Sequence, residues 1–197
     1  PLARVPSNSH ENIKRCLDNG AFGIVVPMVN TAEEARAAVA ATKYHPEGNR
    51  SVGGSLHCLN FGVPAPEYYA EASNEIFVAV QTEHIEAVEN AEEICAVPGV
   101  DAIFVGPNDL LQSMGKTPGM ESDDQEFIDA MNHLRETALK HGVAPGLHTL
   151  LPEQLRRRID EGWTFLALGS DVALMLQGAK RSLKEAGIGE GGESARY

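Results

Sequence analysis

The chain has 197 residues, 43% of them hydrophobic, which is enough for one substantial domain with a core. Its formal net charge of −12 argues against a nucleic acid or an anionic membrane as partner, because phosphate groups bind Lys and Arg. Three widely spaced cysteines, Cys16, Cys58 and Cys95, suggest neither a disulfide framework nor a zinc site, and they favour a cytoplasmic location.

Six short apolar runs predict β-strands. The first is LARV, directly after Pro1, and because the chain does not begin with methionine we expect a translation start upstream. No run approaches the roughly 20 residues of a membrane helix, and no signal peptide is visible. The other five do not alternate with polar residues, which is typical of parallel strands buried on both faces: GIVVPMV from Gly23, IFVAVQ from Ile76, AIFVG from Ala102, PGLHTL from Pro145 and FLALG from Phe165.

Between these runs the apolar residues take the spacing of amphipathic helices. Gly20 is expected just past the end of the first helix, and Thr31 with Glu34 forms a capping-box pattern before the second. The apolar residues within 85–95 predict one continuous helix, which Pro98 and Gly99 end. The apolar stripes lie within residues 13–17, 35–39, 85–95, 127–138, 155–159 and 172–183.

Two stretches fit neither pattern. Residues 45–75 are rich in Gly, Pro and Asn and too long for an ordinary connection, so we predict an elaborated loop over one end of the fold. From Ile188 onward the Gly- and Glu-rich IGEGGESARY predicts a flexible tail. The expected organisation is therefore one barrel domain over residues 1–187 and a tail over 188–197.

Alternating strands and helices leave two architectures, a doubly wound sheet or a (β/α)₈ barrel. No GxGxxG follows any of the predicted strands, which weakens a dinucleotide-binding sheet. A complete barrel has eight strands in about 250 residues, two more strands than this sequence predicts. We therefore predict an α/β chain with the TIM (β/α)₈ barrel fold, lacking its first two β/α units.

Two acidic residues end consecutive predicted strands. The chemistry of a barrel lies at the carboxyl ends of its strands, where Glu83 and Asp109 would be neighbours. Two such carboxylates repel one another unless they are protonated or bridged by a cation. Mg²⁺ or Mn²⁺ would suit them, because these ions take one or two carboxylates plus waters and substrate. The alternative is that both acids only stabilise the amino ends of the helices behind them.

Five segments resemble, in order and spacing, the HpcH/HpaI aldolase family of class II pyruvate aldolases. The segments are GIVVPMV, HPEGNRSVG, VQTE, GVDAIFVGPNDL and FLALGSD, and the resemblance runs from Pro1 to about Lys184. It implies a barrel of the phosphoenolpyruvate/pyruvate type, with Mg²⁺ or Mn²⁺, or else Co²⁺, held by Glu83 and Asp109. The implied reaction cleaves a 4-hydroxy-2-oxo acid reversibly to pyruvate and an aldehyde, through a metal-stabilised enolate and without a Schiff-base lysine.

The resemblance also implies roles for further residues. Gln81 and the backbone N–H of Asn108 would contact the keto acid beside Asp109, and Arg4 would steady the developing enolate oxygen. Asp18 would support the catalytic histidine of a neighbouring subunit. Taken alone, Arg4 would be an ordinary surface arginine, Gln81 a buried amide and Asp18 a solvated acid. The family pattern further implies a homo-oligomer, a hexamer built as a trimer of dimers, in which partners exchange the last helix.

Several features depart from the family. Its catalytic histidine would lie upstream of Pro1, and neither His57 nor His148 matches it. His148 is expected in the wall of the pocket or as a hydrogen-bonded packing residue. Leu111 stands where relatives often carry serine, and the SLHCLNF loop differs from that of the sugar-acid enzymes, so the aldehyde stays open. The alternatives are an oxaloacetate decarboxylase or cyclase, a citryl-CoA-type lyase, or a catalytically silent barrel that binds a keto acid.

Overall fold

A computed structural model describes residues 1–188 and contains a single sheet of six parallel strands. Each strand pairs with the next one along the chain, and the helices between them provide the crossovers. Within the described residues β1 and β6 are the edges, so the sheet forms a half-barrel. All six predicted strands are confirmed: β1 (Leu2–Arg4), β2 (Gly23–Val26), β3 (Phe77–Gln81), β4 (Ala102–Val105), β5 (Ala144–Thr149) and β6 (Phe165–Leu168).

The helices begin and end largely where the sequence signals indicate. Thr31 forms the predicted capping box with Glu34, and Gly20, at φ 95°, follows the first helix in the left-handed conformation that glycine tolerates. The helices are α1 (His10–Asp18), α2 (Ala32–Thr42), α3 (Ala65–Glu75), α4 (Ile85–Glu89), α5 (Ala91–Cys95), α6 (Pro107–Ser113), α7 (Gln125–Lys140), α8 (Pro152–Asp160) and α9 (Asp171–Glu185).

The two faces of the sheet differ in burial. Side chains that alternate along β2 to β5, such as Val26, Val80 and Leu147, face the helices and form the main hydrophobic core. The opposite, concave face carries Phe77, Phe104 and Phe165, which are only partly buried and pack with ring centroids 5.2 and 5.5 Å apart. The concave face is therefore apolar at its centre and incompletely covered within the described residues.

Three predicted elements need correction. The continuous helix expected over residues 85–95 is broken at Asn90, which ends α4 and whose side chain donates a hydrogen bond to the Asn30 carbonyl at 2.9 Å. Residues 45–75 are not only loop, because they contain a 3₁₀ helix (Leu56–Asn60) and the eleven-residue α3. Helix α6, which directly follows β4, was not anticipated, since its GPND start was interpreted as a strand end.

Other expectations concern the ends and the surface of the chain. The predicted tail lies outside the described residues except for Ile188, which is exposed. No helix within residues 1–188 is long and apolar enough to cross a membrane. Cys16, Cys58 and Cys95 are all free thiols, as their odd number and wide spacing indicated.

Candidate active site at the carboxyl ends of the strands

Three polar side chains form a hydrogen-bonded row across β1 and β3. Arg4 Nε donates to Gln81 Oε1 at 3.1 Å, and Gln81 Nε2 donates to Glu83 Oε2 at 2.8 Å. The strand register explains the row, because Arg4 pairs with Val25 and Val25 with Ala79, and Ala79 shares the concave face with Gln81. The sequence-predicted Arg4, Gln81 and Glu83 are thus brought together although 77 residues separate the first two.

Glu83 is a buried carboxylate, with only 3% of its surface exposed. Its Oε1 accepts a hydrogen bond from the Met28 backbone N–H at 2.9 Å. Burial raises the pKa of Glu83; the Met28 N–H lowers that pKa, the Asp109 charge raises it further, and the Arg4 charge lowers it. Because Glu83 bonds to Met28 and Gln81, and His84 caps α4, the reading of Glu83 as a simple helix-start acid is not supported.

Two backbone features shape the environment of Glu83. Met28 has φ 52°, a left-handed conformation that costs free energy for a residue other than glycine, and this backbone carries the N–H that Glu83 accepts. Gly106 lies against Glu83, where an added Cβ would stand 2.5 Å from Glu83 Oε2. Sequence analysis missed both roles, although Met28 lies in GIVVPMV and Gly106 in AIFVG, two of the predicted strands.

Asp109 and Asn108 lie in the first turn of α6, beyond the end of β4. Both are exposed, and the Asn108 side-chain amide approaches Met120 Sδ at 3.3 Å. The Asp109 charge is one of the smaller influences that raise the pKa of Glu83, after burial. An acid in the first turn also stabilises α6, so the simpler interpretation of Asp109 fits its position.

The donor set fits a hard divalent cation. Glu83 and Asp109 provide carboxylate oxygens at neighbouring strand ends, and each bonded oxygen of Glu83 keeps a further lone pair. Residues 1–188 contain no group of three His, Cys, Asp or Glu side chains that could by itself hold a metal ion. The arrangement therefore suits Mg²⁺ or Mn²⁺, ions that complete their shell with water and substrate oxygens.

Asp18 lies away from this row, at the other end of the strands. It is the last residue of α1, and shortly after it Phe22 N–H bonds to the carbonyl of Pro1, where β1 begins. Asp18 Oδ1 accepts from Arg50 Nη2 at 2.7 Å, and Lys14 also contacts the carboxylate. Burial alone would raise the pKa of Asp18, but the hydrogen bonds from Arg50 and Lys14 outweigh it and lower that pKa.

Arg50 anchors a buried aromatic cluster that sequence analysis did not identify. Its side chain is fully buried, its guanidinium carbon lies 4.7 Å from the centre of the Tyr44 ring, and Nη2 reaches the Tyr68 hydroxyl at 3.3 Å. His57 joins the cluster through a 3.3 Å contact between Nε2 and the Tyr44 hydroxyl. The available signal was the arginine within HPEGNRSVG, the one resemblance segment that coincides with no strand.

Comparisons with known proteins find relatives in sequence and in fold. The family model described as HpcH/HpaI aldolase/citrate lyase matches residues 1–178. The 5-keto-4-deoxy-D-glucarate aldolase of Salmonella arizonae is 38% identical over 181 residues, which are 92% of this chain and 70% of the relative. A solved structure of an HpcH/HpaI aldolase/citrate lyase family protein from Burkholderia cenocepacia superposes with a TM-score of 0.85 at 30% identity, covering 94% of this chain and 73% of that one.

A more distant solved structure shares the fold alone. It is the citrate lyase beta subunit of M. tuberculosis complexed with oxaloacetate and magnesium, with 12% identity and a TM-score of 0.58. The superposition covers 86% of this chain and 67% of that one. At this identity the likeness extends to the arrangement of strands and helices and not to individual site residues.

Proposed function

The chain belongs to the HpcH/HpaI aldolase/citrate lyase family of carbon–carbon lyases, and from this premise we propose that it is a metal-dependent aldolase. It would cleave a 4-hydroxy-2-oxo acid reversibly to pyruvate and an aldehyde. The observation that carries the proposal is the buried carboxylate of Glu83, hydrogen-bonded in one row with Gln81 and Arg4 and electrostatically linked to Asp109. Because these side chains are already hydrogen-bonded to one another, they would need little rearrangement to receive a cation and a keto acid.

Glu83 and Asp109 would hold the divalent cation. When bound, such a cation acts as a Lewis acid that polarises a keto-acid carbonyl and stabilises the negative charge developing as the carbon–carbon bond breaks. Glu83 is restrained on both oxygens, by Met28 and Gln81, so its carboxylate is preorganised for this task. Asp109 is exposed and can adjust to the ligand.

Arg4 and Gln81 would bind the keto acid itself. In the described residues Arg4 uses only Nε in a hydrogen bond, to Gln81, so its terminal nitrogens are available to an oxygen that gains negative charge. Gln81 is 8% exposed, and both ends of its amide are already oriented. The backbone N–H of Asn108 lies in the first turn of α6, where such groups have no partner within a helix and can take a carboxylate.

We also propose that two β/α units precede Pro1. The concave face is only partly covered and β1 and β6 are sheet edges in residues 1–188, which supports a complete barrel with two preceding β/α units. The length of the Salmonella relative, of which this chain spans 70%, supports the same extension. The general base would come from those units, and Asp18 would support it from a neighbouring subunit, because Asp18 lies at the far end of its own strands.

The name of a relative points to a class of substrate for this chain. The Salmonella protein is named for 5-keto-4-deoxy-D-glucarate, a hydroxylated oxo acid. Because the identity reaches 38% across the described fold, we propose a substrate of the same general class, a 4-hydroxy-2-oxo acid.

A pyruvate-release assay tests the proposal. The full-length protein with Mg²⁺ or Mn²⁺ is given a panel of 4-hydroxy-2-oxo acids and, in parallel, oxaloacetate, and pyruvate is followed with lactate dehydrogenase. Release from at least one hydroxy-oxo acid, abolished by EDTA, is the expected result. Release from oxaloacetate alone would point to a decarboxylase, and keto-acid binding without any release would indicate a silent binding protein.

A further inference from the structure

His148 stands in the same row of the concave face as Glu83. Gln81, Phe104 and Gly146 are register partners, so the residues two positions further, Glu83, Gly106 and His148, form the next row toward the carboxyl ends. The closeness of Gly106 to the Glu83 carboxylate agrees with the first half of this row. At about 4.8 Å between adjacent strands, the Cα atoms of Glu83 and His148 are roughly 10 Å apart.

Gly106 leaves the space between these two residues without a side chain. An added Cβ at Gly106 would collide with Glu83 Oε2 at 2.5 Å. Below the gap lie the rings of Phe104 and Phe165, whose centroids are 5.5 Å apart. A molecule held at Glu83 that reached toward His148 would pass over these two rings.

The hydrogen bond between His148 and Gly169 determines which ring nitrogen of His148 is a donor and which one is an acceptor. His148 Nε2 lies 2.8 Å from the Gly169 carbonyl oxygen, which can only accept, so Nε2 is the donor. In the neutral ring Nδ1 is then an acceptor, and within residues 1–188 it has no hydrogen-bond partner and is not among the buried unsatisfied atoms. An acceptor above an apolar floor selects a ligand group that carries a proton to donate.

We propose that His148 is a specificity-determining residue that accepts a hydrogen bond from a hydroxyl group on the aldehyde-derived half of the substrate. The inference rests on the proposed aldolase function and adds the subsite that this function leaves undefined. An aldehyde carbonyl has no proton to donate, whereas a hydroxyl on the adjacent carbon does. The subsite thus favours hydroxylated aldehydes over alkyl aldehydes of equal size.

The test uses two aldehydes that differ by one group. The full-length protein, loaded with Mg²⁺, adds pyruvate to glycolaldehyde or to propanal, in which a methyl replaces the hydroxyl. His148→Leu should lower kcat/KM for glycolaldehyde about tenfold, the scale of one net hydrogen bond, and leave propanal within about twofold. His148→Gln, which keeps a donor for Gly169 and an acceptor, should recover part of the loss, and His133→Leu, at an exposed site on α7, should change neither aldehyde.

A second readout needs no turnover. The proton–nitrogen correlation spectrum of metal-free, histidine-labelled protein should show the His148 ring with Nε2 protonated and Nδ1 unprotonated. A protonated Nδ1 in the neutral ring would overturn the inference, and so would equal losses for both aldehydes in His148→Leu, which would place His148 in the chemistry or in packing. A parent protein that adds pyruvate to no aldehyde instead overturns the proposed function, while the spectrum still reports the tautomer.

Discussion

Glu83 illustrates how one side chain acquires its role from distant contacts. Its carboxylate accepts hydrogen bonds from Met28 and Gln81, and Gly106 leaves room for it. Desolvation disfavours the charged form of a buried carboxylate, which a cation would favour again. A bound cation would therefore stabilise the charged form of Glu83.

The proposed roles of Glu83 and Asp109 as metal ligands can be tested without knowing the substrate. Glu83→Gln and Asp109→Asn should each abolish Mn²⁺ binding measured by calorimetry, because each removes a charged ligand while preserving shape. Glu86→Gln, three residues further and exposed, is the matched control and should bind as the parent does. Circular dichroism spectra should stay close to that of the parent in all three variants. Parental Mn²⁺ binding by both site variants would contradict the assignment.

Arg4 is expected to act mainly in the transition state. Arg4→Ala should lower the rate of pyruvate methyl-proton exchange in D₂O by about 10²-fold, the scale of one preorganised donor, with little change in Mn²⁺ affinity. Arg4→Lys should also lose rate, because a lysine lacks the planar fork that bonds Gln81 and a ligand together. Arg36→Ala, exposed on α2, serves as control. Exchange at the parental rate in Arg4→Ala would make Arg4 a structural residue.

At the scale of elements, the segment between α2 and α3 contacts α1 through a partly buried ion pair. Arg50 in this segment is 2% exposed and pairs with Asp18 at the end of α1, while Tyr44 and Tyr68 pack around its guanidinium. Removal of one partner of such a pair leaves a buried charge uncompensated. This contact gives a segment rich in turn-forming residues a defined position.

The ion pair predicts a pH dependence of stability. Because the pKa of Asp18 is lowered in the folded protein, its contribution is fully present above the ordinary carboxyl pKa and is lost as pH falls through the lowered value. Asp18→Asn should lower the free energy of unfolding at neutral pH by about 1–3 kcal/mol and flatten the acid decline seen in urea midpoints. Glu11→Gln, exposed on the same helix, should keep the parental pH profile. Identical acid profiles for parent and Asp18→Asn would refute this.

At the scale of the molecule, α9 is the least covered element. None of its residues is buried, and Leu174 and Met175 are 57% and 65% exposed. The predicted apolar stripe is exposed as well; it consists of Val172, Leu176, Ala179 and Leu183. A helix whose apolar side chains are exposed in this way is typical of a surface that contacts another subunit.

The exposed apolar side chains of α9 predict that the protein forms an oligomer. Light scattering of the full-length protein at micromolar concentration should show an oligomer, and Met175→Glu should shift it toward smaller species, because a charge would be buried in the contact. Lys180→Glu, exposed on the same helix, controls for a change of charge. A parent protein that is monomeric at this concentration would contradict both the exchanged helix and the role of Asp18 in a neighbouring site.

The sequence by itself determined the six strands and most of the helices, and it supplied the candidate residues of the site. Unbroken apolar runs predicted all six strands, since burial on both faces requires them, and acids at consecutive strand ends singled out Glu83 and Asp109. Only the tertiary structure decided which atoms meet. Strand register joins Arg4 to Gln81, the bond to Gly169 selects the tautomer of His148, and a contact with Asn30 accompanies the break between α4 and α5. Such pairings depend on residues far apart in the chain, which local propensity and periodicity do not specify.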